Sequence, residues 1–362
     1  MIERIIIENF KSIRKLDLEL KPINILIGAN GAGKSNFVSF LKMTNQIYEQ
    51  RLQEYIGNDI DSLLYFGRNN SEHIYGLIDF NNTNAIYFWI FPETQNNKGY
   101  IKHLGDYWNG YKNQDKNYPE WHQLTWESDI EESGIREFSQ PRASFVRFYL
   151  KSFKVYHFHD TGEKSPMKRM NKINDNRYLR ENGENLASYL YYLQQKHPKE
   201  FSLIESTIRS VAPFFDRFDL APDRSNEENI ELRWLDKGSD SYFNAYNLSD
   251  GTLRFMALTT LLLQPHPSKT IIIDEPELGL HPFAINKLSA MMRQASSKGS
   301  QIIVSTQSVS LMDNFEPEEI IAVDRIDNQS VFNRLNSEEL KGWLEDYTLG
   351  ELWNKNLIGA MP

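Results

Sequence analysis

The chain contains no cysteine, which removes disulfides, thiolate nucleophiles and Cys-ligated zinc from its possible chemistries. It also lacks a long apolar run. The densest stretch, Ala257 to Leu263, falls well short of the roughly 20 residues that span a bilayer. The start, MIERIIIENF, is charged at once and has no apolar core of a secretory leader. Nor is there an excess of positive charge. Lys plus Arg number 40 against 49 Asp plus Glu, a net charge of −9, so the chain as a whole does not attract nucleic acid. A local basic face stays open at Lys164–Arg180, KSPMKRMNKINDNRYLR, although such a run reads more readily as a solvated face. Repeats of 20–50 residues and sustained heptads are absent too. The expectation is a cytosolic globular chain with no membrane partner, whose 362 residues, 40% hydrophobic, suffice for two or three lobes.

Hydrophobic periodicity divides the chain. ERIIIENF and PINILIG read as buried strands, and SNFVSFLKMTNQIY as an amphipathic helix. From 63 to 158 the texture becomes aromatic and β-branched. HIYGLIDF, NAIYFWIF and ASFVRFYLKSFKVYHFH read as strands of an antiparallel lobe, with PETQNNKGYIKHLGDYWNGYKNQDKNYPEWHQ as a loose excursion. Residues 185–215 return to helical spacing, and FDRFDLAP with NIELRWLD suggests a hairpin. Alternation of helix and strand follows: LRFMALTTLLL, KTIIIDE, PFAINKLSAMMRQAS, SQIIVST and EEIIAVDR. The expected organisation is an α/β sheet interrupted by an insertion. Its segments are 1–62, a β-rich lobe 63–183, a helical and hairpin segment 184–247, and a closing part 248–362.

GANGAGKS, Gly28 to Ser35, fits G-x-x-x-x-G-K-[ST]. Glycines let the backbone amides of Gly28, Asn30, Gly31, Ala32 and Gly33 curl around phosphates without Cβ clashes. Lys34 brings a charge to the β/γ-phosphates, the Ser35 hydroxyl can ligate Mg²⁺, and the helix dipole entering at Asn36 favours an anion. TIIIDEPELGLHP ends a strand in two carboxylates. Asp274 suits Mg²⁺ opposite Ser35, and Glu275 suits activation of a water against the γ-phosphate. Glu277, after Pro276, reads equally as helix-start chemistry.

The order of phosphate loop, long insertion, NLSDGTLRF and then IIIDE resembles the ABC-type ATPase heads of the SMC/RecF-like branch. Within that branch the chain resembles standalone bacterial AAA-family ATPases related to the ATPase domain of OLD-type nucleases. ENFKSI, LSDGTLRF, DEPELGLHP, IIVSTQS and WLEDYTLGELWNKNLIGAMP carry the resemblance, with YHFHDTGEKSPMKR between. It implies an ABC-type P-loop head, a central mixed sheet flanked by helices, with an antiparallel β lobe and a helical insertion. It also implies that Ser249, Asp250 and Gly251 form a signature that meets ATP held by a second copy, two copies burying two nucleotides head-to-tail in a homodimer, or a larger assembly. Lys11 and Ser12 would approach the nucleotide from the ENFKSI turn.

Three positions depart from the pattern. Asp250 stands where transporter signatures have glycine, His281 where many relatives have an aspartate, and Gln307 where a switch histidine is common. Glutamine can hydrogen-bond a phosphate or water but cannot take up a proton. No Q-loop glutamine is assignable. OLD-type proteins also carry a nuclease domain; the 55 residues after Gln307 are too few for it and contain no Asp-x-Asp. The expectation is therefore an ATPase, using ATP and Mg²⁺, that regulates a separate nuclease or toxin in anti-phage defence. Direct DNA binding as a repair factor, or ATP binding with little turnover, are the alternatives. His157 and His159 could form a metal cluster with Asp160. Trp343, Leu344, Tyr347, Leu349, Leu352 and Trp353 suggest a docked helical segment on either side of Gly350.

Overall fold

A computed structural model describes residues 1–57, 59–80, 84–93, 97–109, 121–139, 141–239 and 241–360, with the backbone alone at 108–109 and 121–124. The chain opens with β1 (Ile2–Phe10), β2 (Ile13–Glu19), β3 (Ile23–Ile27), α1 (Lys34–Glu49) and α2 (Leu52–Ile56). An antiparallel ribbon follows: β4 (Ile74–Phe80), β5 (Asn84–Pro92), β6 (Gly99–Asn109) and β7 (Trp121–Ile130). Next come α3 (Pro141–Leu150), β8 (Val155–Tyr156), β9 (Asn171–Lys172), α4 (Leu186–Lys196) and α5 (Pro198–Val211). The short strands β10 (Phe215–Phe218), β11 (Asn229–Ile230), β12 (Arg233–Asp236) and β13 (Tyr242–Asn244) lead to α6 (Asp250–Leu263). The chain closes with β14 (Thr270–Asp274), α7 (Pro282–Ser297), β15 (Gln301–Thr306), α8 (Val309–Met312), β16 (Ile320–Ile326), β17 (Gln329–Arg334), α9 (Ser337–Leu344) and α10 (Leu349–Asn354).

Two six-stranded sheets organise these elements. The central one has the order β17-β16-β3-β15-β14-β8 and is parallel except for β17; the other, β2-β1-β4-β5-β6-β7, is antiparallel. Continuous apolar strands explain the first. β3 and β15 are buried along their whole length, as a sheet covered on both faces requires. Alternation then assigns each residue a face. Ile25, Ile27, Ile271, Ile273, Ile302 and Val304 point into a core shared with α4 to α7. Leu26, Ile272, Ile303 and Val323 point into a second core with α1 and the antiparallel sheet. Phe40 of α1 sits at the centre of that second core, 5.7 Å from both Phe10 and Phe88. Burying such a ring contributes about 2–3 kcal/mol.

Side chains bridge the seam between the sheets: Arg334 of β17 donates to the Glu19 carbonyl of β2 at 2.8 Å, and Gln301 of β15 reaches the backbone around β1 and β2. Gln301 Oε1 accepts from Ile2 N at 3.0 Å, and its Nε2 donates to the carbonyls of Ile2 and Lys21 at 2.8 and 3.0 Å. β1 and β2 thus belong to the antiparallel sheet although β3, four residues on, belongs to the central one.

Two readings need correction. The segment taken as a strand at 143–159 contains α3. Pro141 opens this helix, and Ala143, Val146, Tyr149 and Leu150 form its buried face. Its aromatic and β-branched content imitates a strand, but the spacing of the buried residues is helical. The described part of the excursion at 92–123 is mostly sheet, because β6 and β7 continue the ladder. Residues 94–96 and 110–120 of it lie outside the described residues, as do Met361 and Pro362 of the closing motif. In the closing segment Gly350 lies within α10, whose Leu349, Leu352 and Trp353 are buried, while Trp343 of α9 is exposed.

Candidate functional site

β3 delivers the chain to the glycine loop in the middle of the central sheet. Gly28 (φ 154°), Gly31 (φ 81°) and Gly33 (φ 122°) all have positive φ, which side chains disfavour. At Gly28 a Cβ would strike the Val323 carbonyl, and at Gly33 it would strike Ser330. Ser330, on β17, was not identified from sequence. Its hydroxyl donates to the Ala32 carbonyl at 2.6 Å and lies 2.6 Å from Ser12 Oγ, which also accepts from Asn36 Nδ2 at 2.6 Å. Ser12 and Ser330 therefore form a floor beneath the loop, and Asn36 is turned towards that floor. No signal in the sequence joins positions 12, 36 and 330, since the pairing arises only when β17 folds back on the sheet edge. Lys11 (φ 50°) borders a cleft of 460 Å³ with Asn36, Leu63, Phe66 and Arg325, and burial holds its ammonium below the usual lysine range.

No side chain caps α1, so its first N–H groups are free for an anion. Lys34 Nζ donates to the carbonyls of Gly28 and Ala29 at 2.5 and 3.0 Å. Burial lowers its pKa, while Glu275, Asp274 and Glu277 pull the other way. Those three carboxylates are thus the electrostatic counterpart of the loop lysine. Asn30, Gly31 and Ser35 stand on the exposed rim, whereas Ala32 is buried.

β14 ends at Asp274, whose Oδ1 accepts from the Ser305 hydroxyl on the adjacent β15. Glu275 follows with φ 42°, a left-handed turn that re-aims its side chain while its N–H donates to the Ser305 carbonyl at 2.8 Å. Gln307 Nε2 donates to Glu275 Oε1 at 2.5 Å. Glu277 does not begin a helix, because α7 starts at Pro282 with His281 as its cap. It is instead buried, accepting from Thr306 Oγ1 at 2.5 Å and Gln307 N at 3.2 Å, and burial raises its pKa. It ties the turn after β14 to the end of β15. The structure thus gathers Lys34, Asp274, Glu275 and Gln307 at the carboxyl ends of β3, β14 and β15, where open α/β sheets bind ligands.

Ser249, Asp250 and Gly251 stand elsewhere. Ser249 caps α6, accepting from Thr252 N at 3.2 Å and sharing a 2.8 Å hydrogen bond with Thr252 Oγ1. Ser249 and Asp250 are both exposed, so this helix tip faces outward rather than into the core. Gly251 packs against the Gly279 carbonyl so closely that no Cβ fits. Among the described residues no hydrogen bond or ion pair joins 249–251 to the phosphate loop. Behind the tip, buried Arg254 donates to the carbonyls of Phe158 and His159 at 2.9 and 3.1 Å. His159 Nε2 in turn lies 2.8 Å from the Asp274 carbonyl. The histidine pair is therefore not arranged as a metal site: the two rings are 6.2 Å apart, and His159 is engaged with backbone. Among the described residues, no group of three or more His, Cys, Asp or Glu is placed to hold an ion. No helix among them is long and apolar enough to cross a membrane.

Could this constellation hold Mg²⁺? Its donors, the Ser35 hydroxyl and the Asp274 carboxylate, are hard oxygens, and Mg²⁺ keeps most of its waters beside one or two such ligands and phosphate. The residues fit.

This loop, acidic strand and helix order on a parallel sheet is that of a P-loop nucleotide-binding head with the fold of an SMC head. The fold matches two crystal structures closely in extent. One is an SMC head bound to the C-terminal winged-helix domain of ScpA (TM-score 0.63, 16% identity, 94% of this chain and 99% of that one). The other is an Smc head with an extended coiled coil bound to the C-terminal domain of ScpA, derived from Pyrococcus furiosus (0.60, 16%, 95% and 98%). In sequence the chain is 24% identical over 380 residues to the Old nuclease of Escherichia phage P2, covering 92% of this chain and 61% of that protein. The chain thus spans about three fifths of that relative's length. The model of the family described as "AAA domain, putative AbiEii toxin, Type IV TA system" matches residues 23–313, and the chain belongs to that family.

Proposed function

We propose that the chain binds and hydrolyses ATP with Mg²⁺, pairs head-to-tail with a second copy on ATP, and through that pairing controls a separate nuclease or toxin in anti-phage defence. One observation carries the pairing: a complete phosphate-loop half and an outward-facing signature tip occur in the same chain but make no contact with each other. Each copy would thus supply what the other's nucleotide lacks. The relative that is a nuclease, and the toxin named in the family description, support an effector of that class.

In this reading the amides of Gly28, Asn30, Gly31, Ala32 and Gly33 with Lys34 wrap the phosphates, and the cleft beside Lys11 and Ser12 takes the base side. Bound Mg²⁺, held by Ser35 and Asp274, would neutralise charge on the β- and γ-phosphates. Glu275 takes a proton from water as its oxygen attacks the γ-phosphorus. The bond to the β,γ-bridging oxygen breaks, leaving ADP and phosphate. Gln307 holds Glu275 in place, but the same hydrogen bond occupies a carboxylate oxygen, so turnover is expected to be slow. The copies then separate because the γ-phosphate between them is gone.

Sedimentation of the purified chain with ATP, ADP and no nucleotide tests this. A dimer with ATP and Glu275→Gln, and a monomer with ADP, is expected. A monomer under all three conditions would sink the pairing, whatever the ATPase rate.

A further inference from the structure

Lys168 has no part in the scheme above. It belongs to the basic run 164–180, which reads as a solvated face, yet its side chain is only 7% exposed. It ends a single 3₁₀ turn, Pro166–Lys168, anchored by Ser165, whose hydroxyl donates to the Asp160 carbonyl and accepts from Met167 N. Met167 is sunk in the core beside Gly183 and holds the backbone of this turn down. Among the described residues the ammonium's recorded polar contacts are Asp250 Oδ1 at 4.0 Å and the face of Tyr246, with the ring centre at 6.0 Å. Among the described residues it makes no hydrogen bond.

The stem is covered while the ammonium keeps contact with water, as long cationic side chains do. A single exposed carboxylate at 4.0 Å lies beyond hydrogen-bond reach and is shared with water. The same cation stands at the first turn of α6, where the N–H groups of Asp250 and Gly251 have no partner within the helix and the dipole is positive. An anion placed there would meet free donors and a full charge at once. Asp250 also becomes intelligible: alone at the tip it would repel a phosphate, and Lys168 cancels it.

We propose that Lys168 is a phosphate-binding residue, contacting the terminal phosphate of a nucleoside triphosphate carried by a second copy of this chain, alongside Ser249 and the tip of α6. This rests on the head-to-tail pairing proposed above. In the single chain Asp250 holds the ammonium loosely; when the copies close, a phosphate oxygen replaces it as the nearer acceptor. A lysine whose stem is held in place and whose ammonium is only loosely paired then serves as a sensor of whether the partner holds a triphosphate or a diphosphate.

The test uses the full chain carrying Glu275→Gln, which retains ATP, as reference. Sedimentation with Mg²⁺ and ATP measures pairing. A fluorescent ATP analogue, added at protein concentrations too low for pairing, measures the chain's own loop. Lys168→Met is expected to weaken pairing by about 10- to 100-fold while own-loop affinity stays within about twofold. Lys168→Arg should keep pairing within about fivefold, and Asp250→Asn, at an exposed position, should tighten it. A Lys168→Met chain that melts like the reference and pairs as tightly overturns the Lys168 assignment alone. Equal losses of own-loop affinity and melting temperature in both Lys168 variants would mark a structural role and overturn it as well. A reference chain that never pairs with ATP brings down the pairing, and this inference with it.

Discussion

The phosphate loop and the tip of α6 present the same chemical device, a helix start with free N–H donors, but they are held in opposite ways. The loop is braced from several sides. Ser330 and Ser12 lie under it, Val323 presses against Gly28, and Lys34 is hydrogen-bonded back to the loop's own carbonyls. No side chain of the chain itself caps α1. The tip of α6 stands in solvent, its serine occupied with its own helix and its aspartate facing a lysine that cannot quite reach it. A braced, uncapped helix start is preorganised for a ligand. An exposed, lightly capped one is open to a ligand brought by another molecule, and the contrast underlies the pairing proposed here.

Several changes would break or sharpen that contrast. Glu275→Gln should lower the turnover number about 10²- to 10³-fold while leaving ATP affinity unchanged, as phosphate-release kinetics beside calorimetry would show. Lys34→Ala should reduce ATP affinity by roughly 100-fold, measured by calorimetry on the monomer. Ser249→Arg should do the reverse: monomer ATP affinity is kept, but pairing is lost and turnover falls at least about tenfold. If Ser249→Arg lowered monomer affinity instead, the tip would serve its own loop and the contrast would vanish. Ser330→Ala removes a buried hydroxyl shared by Ala32 and Ser12 and should lower the melting temperature by a few degrees, with a smaller loss of ATP affinity.

The smallest effect lies outside the site. Asp79, in the seam of β1 and β4, has its pKa pushed up to about 6 by burial and then by Glu3. A raised carboxylate favours the neutral form in the folded chain. Stability is therefore unaffected below the ordinary carboxylate pKa, declines as pH rises from about 4 to about 6, and stays lower above it. Asp79→Asn should melt like wild type at pH 4 and a few degrees higher at pH 7.5, and equal melting at both values would refute the assignment.

Much of the head was legible because its chemistry is local. Gly28–Ser35, the Asp274–Glu275 strand end and the Ser249 tip are each short runs whose residue types suffice to suggest phosphate, metal or helix-start chemistry. What escaped reading is made by contacts distant in sequence. Ser330 meets Ser12 across 318 positions, and Glu277 acquires its role only when β15 delivers Thr306 and Gln307 beside it. α3 was hidden for another reason: aromatic and β-branched residues dominate it, so composition suggested a strand while Ala143, Val146 and Leu150 kept helical spacing. Arg254, linking α6 through His159 to Asp274, gave no signal, since a lone arginine in an apolar helix reads as an ordinary surface residue.

Gln301 has a consequence for how the molecule comes apart. One amide joins the backbone of Ile2 and Lys21 to β15, so neither sheet can be stripped away without leaving buried donors and acceptors bare in the other. The two layers share a core as well and should therefore melt as a single cooperative unit, with amides of β1 and β15 exchanging at matched rates, and replacing this glutamine by leucine should lower the melting temperature by a few degrees without splitting the transition.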